Sequence, residues 1–117
     1  MMRYECDAFA ETPSGFEARI KIGASSEFFR GHFEGAPVLP GVALLVIAKE
    51  VLSRRVAALP ALAGLAALRF RKPILPGERV TLAYARKSSN ELLLTAHVAE
   101  TLVADGRLHF TAEVPRA

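Results

Sequence analysis

Apolar and polar side chains alternate most clearly at residues 16–22, where Phe16, Ala18, Ile20 and Ile22 fall on one side and Glu17, Arg19 and Lys21 on the other. A period of two marks a strand with one face in a core. Gly23-Ala24-Ser25-Ser26 ends it, and Glu27-Phe28-Phe29-Arg30 reads as a short turn with its aromatics tucked inward. Residues 36–48 then carry no polar side chain, and Lys49, Glu50, Ser53, Arg54 and Arg55 follow. Pro37 and Pro40 disfavour helix before them, and Pro40-Gly41 can open one. The pattern predicts one long helix over 41–58, closed by Pro60. Its first half lacks a polar face, which predicts a helix wrapped by the rest of the chain. Strand-length runs follow at 65–71, 80–86, 92–100 and 108–114, with turns at Pro76-Gly77 and Ser88-Ser89-Asn90 and a hairpin signal at Asp105-Gly106. The expected architecture is α+β, one domain over 1–117, with an antiparallel sheet curled around a central helix.

Composition narrows the class. Just over half the residues are apolar, which argues against disorder, yet no apolar run reaches the ~20 residues that span a bilayer. The N-terminal stretch carries acids and no apolar signal core, so the expected location is the cytoplasm. Cys6 is the only cysteine, which excludes an internal disulfide and a cysteine-cluster metal site. His97 and His109 fall on predicted strands without acids at ligand spacing, so no metal and no cofactor is expected. A net charge of +3 with interspersed acids does not suit nucleic acid. The basic clusters are Arg54-Arg55 and Arg69/Arg71-Lys72, each readable as a solvated face or as a docking site for an acidic or phosphate-bearing partner.

Candidate chemistry concentrates in 31–46. His32 lies in a glycine-rich turn beside the predicted helix start. An imidazole next to free helix N–H groups suits proton transfer beside a carbonyl whose oxygen gains charge. A structural histidine is the plainer reading of such a residue taken alone.

Two stretches carry a family resemblance. Gly31-His32-Phe33 with Pro37-Val38-Leu39-Pro40-Gly41-Val42 closely resembles the signature G-H-F-P-x-x-P-V/I-M/L-P-G-V of the hotdog-fold 3-hydroxyacyl-carrier-protein dehydratases (FabZ-, FabA- and ApeI-like). Arg69-Phe70-Arg71-Lys72-Pro73-Ile74-Leu75-Pro76-Gly77-Glu78 is similar to their strand-and-turn pattern. The resemblance covers residues 16–114. It implies a hotdog fold and a dimer, homo- or hetero-, whose sheets join edge to edge with sites across the interface. It also implies that His32 is the base and that the Gly41 backbone N–H faces the thioester oxygen. Phe33, Val42, Leu45 and Val46 would line the acyl tunnel, and Arg54, Arg55, Arg69, Arg71 and Lys72 would dock acyl carrier protein and its phosphopantetheine-linked substrate.

One departure stands out. Family members carry Glu or Asp where this chain has Val46, which cannot move a proton. Glu34 and Glu50 are candidate surrogates, against readings as a loop-surface residue and the start of the solvated half of the helix. The leading expectation is dehydration of (3R)-3-hydroxyacyl thioesters to trans-2-enoyl thioesters, alone or with a partner that supplies the acid. The rivals are a non-catalytic or half-site subunit of a heterodimeric dehydratase, and an acyl thioesterase.

Overall fold

A computed structural model describes residues 4–23, 39 and 41–116, apart from the Val42 side chain. The turn expected at 27–30 and the loop bearing His32, Phe33 and Glu34 lie outside the described residues. In order, the elements are β1 (Glu5–Thr12), β2 (Gly15–Lys21), α1 (Gly41–Arg55), β3 (Leu62–Phe70), β4 (Arg79–Ser88), β5 (Glu91–Val98) and β6 (Thr101–Phe110). The strands form one sheet in the order β1-β2-β4-β5-β6-β3, antiparallel throughout.

The inward positions of β2, β4 and β5 make the core. Phe16 and Ile20 lie beside Leu82, Tyr84, Leu92 and Leu94, all buried. Against them α1 sets Leu44, Ile47, Ala48, Val51 and Leu52, also buried. Their spacing of three and four residues draws one stripe along the helix. The buried Tyr84 hydroxyl donates to the Ala48 carbonyl at 2.7 Å, fixing helix to sheet at mid-length.

The two ends of α1 meet opposite edges of the sheet. Gly41, its first residue, packs on Leu68 and Phe70 of the edge strand β3. Near its other end, Glu50 accepts a hydrogen bond from the Tyr4 hydroxyl at 2.6 Å, and the Arg55 guanidinium lies 5.9 Å from the centre of the Phe9 ring on β1. A helix of this length is about 22 Å long, and six strands span about 24 Å. The helix therefore crosses nearly the whole width of the sheet.

Several expectations need correction. β1 was not foreseen: its ECDAFAET sequence is mostly exposed and breaks register between Cys6 and Ala8, so it lacks a clean alternation. The helix stops at Arg55 rather than 58, because Ala58 takes a left-handed conformation (φ 57°) ahead of Pro60. Asp105-Gly106 is not a hairpin. It lies within β6, and the β5–β6 turn is at Ala99-Glu100, with Ala99 at φ 55°. The last strand accordingly occupies 101–110 rather than 108–114. Nor is the first half of α1 enclosed all round: Leu45 is half-buried and Val46 is 51% exposed. The sheet covers one face of the helix and leaves the other open.

One glycine is demanded by close approach. A side chain on Gly15 would collide with the Tyr84 carbonyl across the β2–β4 pair, and the turn before it is closed by the Gly15 N–H donating to Thr12 Oγ1 at 3.0 Å.

Candidate functional site

The two sequence stretches singled out above meet at the start of α1. The Leu39 N–H donates to the Ile74 carbonyl at 2.9 Å, which ties the approach to the helix to the segment after β3. That segment is held to the sheet in turn, since the Arg71 and Lys72 N–H groups both donate to the Val103 carbonyl, at 2.8 and 3.3 Å. The Pro76-Gly77 turn is present with Gly77 at φ 83°, and Glu78 Oε1 accepts from the Leu75 N–H at 2.8 Å.

A bulge in β3 directs side chains onto Gly41. Ala66 pairs with Arg107 and Arg69 with Asp105, so Ala67 and Leu68 together oppose Gly106. Ala67 takes the left-handed conformation (φ 54°) that such an inserted residue often adopts. The consequence is a Leu68 side chain turned inward between two glycines. A methyl group on Gly106 would lie 3.1 Å from Leu68 Cδ1, and one on Gly41 would lie 3.9 Å from Leu68 Cδ2. Phe70 comes closer still, with Cε1 at 3.3 Å from the same point on Gly41. Leu68 crowds the side-chain position of Gly106, and Phe70 packs close against that of Gly41.

Asp105 fixes the strand end that carries these residues. Its carboxylate accepts from Arg71 Nη2 at 2.9 Å and Nε at 3.3 Å, and Arg69 Nε lies 3.8 Å away. The Asp-Gly pair read from sequence as a turn is thus a clamp followed by a gap. Sequence reasoning passed over Leu68 and Asp105. The signal that could have found them is the failure of alternation across Ala66-Ala67-Leu68, opposite a mid-strand glycine.

The candidate site residues divide. Gly41 and the half-buried Leu45 are on α1 as expected, and Val46 is on the open face of the helix. His32 and Phe33, Glu34 and the Val42 side chain lie outside the described residues. Glu50 is engaged by Tyr4 and lies 3.9 Å from Arg54. Nine residues beyond Gly41, it stands about 13 Å further along the axis, toward the β1 edge. The five candidate docking cations do not form one patch. Arg54 and Arg55 lie toward the β1 edge, while Arg69 and Arg71 share Asp105 near the start of α1, with exposed Lys72 next in sequence. His109 faces Glu91 at 3.5 Å, and Arg107 approaches the same carboxylate at 3.9 Å.

Comparison with known proteins sharpens this geometry. Residues 9–107 match the model of a family described as ApeI-like, ApeI dehydratase. The 3-hydroxyacyl-(acyl-carrier-protein) dehydratase FabZ of Desulforamulus reducens is 33% identical over 100 residues, covering 76% of this chain and 70% of its own. The FabZ of Pelotomaculum thermopropionicum is 32% identical, covering 76% and 71%. Among solved structures, a chain of the dehydratase heterocomplex ApeI:P from Xenorhabdus doucetiae superposes with a TM-score of 0.80 at 18% identity, covering 92% of this chain and 97% of that one. A hypothetical thioesterase from Streptococcus pneumoniae, solved with coenzyme A, has a TM-score of 0.57 at 12% identity, covering 96% and 91%. The six-stranded antiparallel sheet packed on α1, the one helix among the described residues, is the hotdog fold. That fold serves more than one thioester chemistry, so the shape alone does not choose between them.

Proposed function

This chain belongs to the ApeI-like dehydratase family, and from that premise we propose that it binds (3R)-3-hydroxyacyl thioesters on acyl carrier protein and serves in their dehydration to trans-2-enoyl thioesters. The reaction removes the α-proton, forms the C2=C3 bond and expels the 3-hydroxyl as water. The His32 imidazole is assigned the α-proton. The Gly41 N–H, which has no partner within the helix at its start, donates to the thioester oxygen as it becomes enolate-like. The observation that carries this reading is the convergence at Gly41: the Leu39–Ile74 hydrogen bond and the Phe70 contact bring both family stretches to one point.

The departing hydroxyl needs a proton, and the family position for its donor holds Val46. Two copies of this chain therefore lack the usual acid, and we assign the acid to a second hotdog subunit of different sequence. Val46 is half-exposed on the open face of α1, where a partner can cover it. A half-site role within a heterodimer is thus favoured over independent catalysis. The joining edge is assigned to β3, whose residues 62–68 carry no charge and whose Leu65 is exposed. The opposite edge, β1, carries Glu5, Asp7 and Glu11. Of the candidate docking cations, Arg69, Arg71 and Lys72 share the edge with Gly41 and are assigned to the carrier protein and its phosphate. Thioester hydrolysis would need a carboxylate or an activated water, and Val46 supplies neither.

The test follows enoyl formation by ultraviolet absorbance, together with thiol release, for the wild type, Val46→Glu and His32→Ala. The wild type alone is expected to dehydrate slowly or not at all, and Val46→Glu to be faster. A positioned general acid contributes roughly 10²–10⁴-fold. Robust activity in His32→Ala would remove that histidine from the mechanism. Thiol release without enoyl formation would replace dehydration by hydrolysis.

A further inference from the structure

We propose that Phe70 determines specificity at the α-carbon of the acyl chain, favouring unbranched 3-hydroxyacyl thioesters over their 2-methyl counterparts. The inference rests on the reading of Gly41 as the donor to the thioester oxygen. In a helix the Cα–Cβ bond leans toward the N-terminus, the direction in which the free N–H groups point. The empty side-chain position of Gly41 therefore adjoins whatever its N–H binds. Phe70 lies against that position, with Cε1 and Cδ1 at 3.3 and 3.7 Å from where a Gly41 methyl group would sit. A bound thioester carbonyl has two neighbours, the sulfur with its polar pantetheine arm and the α-carbon with its apolar chain. An apolar ring beside the oxygen donor matches the second.

A wall discriminates only if it cannot yield. The ring is about a third exposed, so one side is open to a ligand while the other is backed by protein. Leu68 lies against the same point on Gly41 and is itself pressed onto Gly106, 3.1 Å from the position of an added methyl group. The backbone on either side of Phe70 is paired with β6, Arg69 opposite Asp105 and the Arg71 N–H donating to the Val103 carbonyl at 2.8 Å, and the Arg71 side chain is held by the Asp105 carboxylate. The backbone carrying the ring is thereby fixed on both sides.

The experiment measures binding of unreactive amide analogues of straight-chain and 2-methyl 3-hydroxyacyl pantetheine by titration calorimetry. It is run on the wild type, Phe70→Ala and Phe70→Leu, alongside turnover of the matching thioesters by the same three proteins carrying Val46→Glu. The wild type is expected to prefer the unbranched analogue at least tenfold, since one methyl group against a packed wall is worth roughly 10–200-fold. The preference should fall toward unity in Phe70→Ala and lie between in Phe70→Leu, which keeps most of the packing if the alanine variant fails to fold. Equal affinities in the wild type, or an unchanged ratio in the variants, would overturn the assignment. Selective binding without turnover in the Val46→Glu background would remove the dehydration and keep the role of Phe70, whereas failure to bind either analogue would remove both.

Discussion

Tyr84 joins the sheet to α1 through a single buried hydroxyl, and the Ala48 carbonyl it reaches has a second lone pair to offer beside its helical bond. Burial raises the Tyr84 hydroxyl above its ordinary value, and burial together with the Glu50 hydrogen bond raises Tyr4 likewise. The folded chain therefore holds these protons more tightly than the unfolded chain. The contribution of these two tyrosines to stability is fully present below about pH 10, where free tyrosine ionises, and is lost as pH rises beyond it. Thermal unfolding between pH 8 and 11 should show that alkaline decline. Tyr84→Phe should lose about 0.5–1.5 kcal/mol at neutral pH and decline less steeply above pH 10. Equal alkaline slopes in the two proteins would mean that Tyr84 does not carry the effect.

Among the elements, legibility followed the environment of each. β2, β4 and β5 are inner strands with one face in the core, and their alternation was readable for that reason. β1 is an exposed edge, where burial imposes little pattern. The end of α1 was overrun because Ala57 and Ala58 suit a helix, and only the backbone conformation of Ala58 marks the stop. At the site, the approach to Gly41 and the strand after it were legible as motifs. The clamp of Asp105 on Arg69 and Arg71 was not, because a turn and an inward glycine look alike in sequence. The helix itself gives the sharpest contrast. Leu44 is 0% exposed and its replacement by Ala should cost about 2–5 kcal/mol, whereas Val46→Ala should stay within about 0.5 kcal/mol in the isolated subunit. Denaturant titration of both variants checks this, and equal losses would contradict a helix covered on one face only.

For the whole molecule, the two sheet edges differ in kind. A long apolar edge strand is a template for pairing, whereas charge and irregularity discourage it. Leu65→Glu, on β3, should therefore shift the assembly toward single subunits in sedimentation equilibrium. Ala10→Glu, exposed on β1, should leave the assembly unchanged. The reverse outcome would move the interface to the other edge.

The strand order has a further consequence, for how the chain finds its shape. β4, β5 and β6 follow one another along the sheet and close through short turns, so local encounters suffice to form them. β2 reaches β4 only after the chain has made an excursion through α1 and β3, and β3 returns to β6 on the far side. Closing such long loops carries an entropic penalty before their contacts compensate, and topologies of this kind fold slowly. The start of α1 and the bulged strand beneath it both belong to that excursion. The part of the molecule assigned to the thioester is thus the part whose formation waits on a meander already standing.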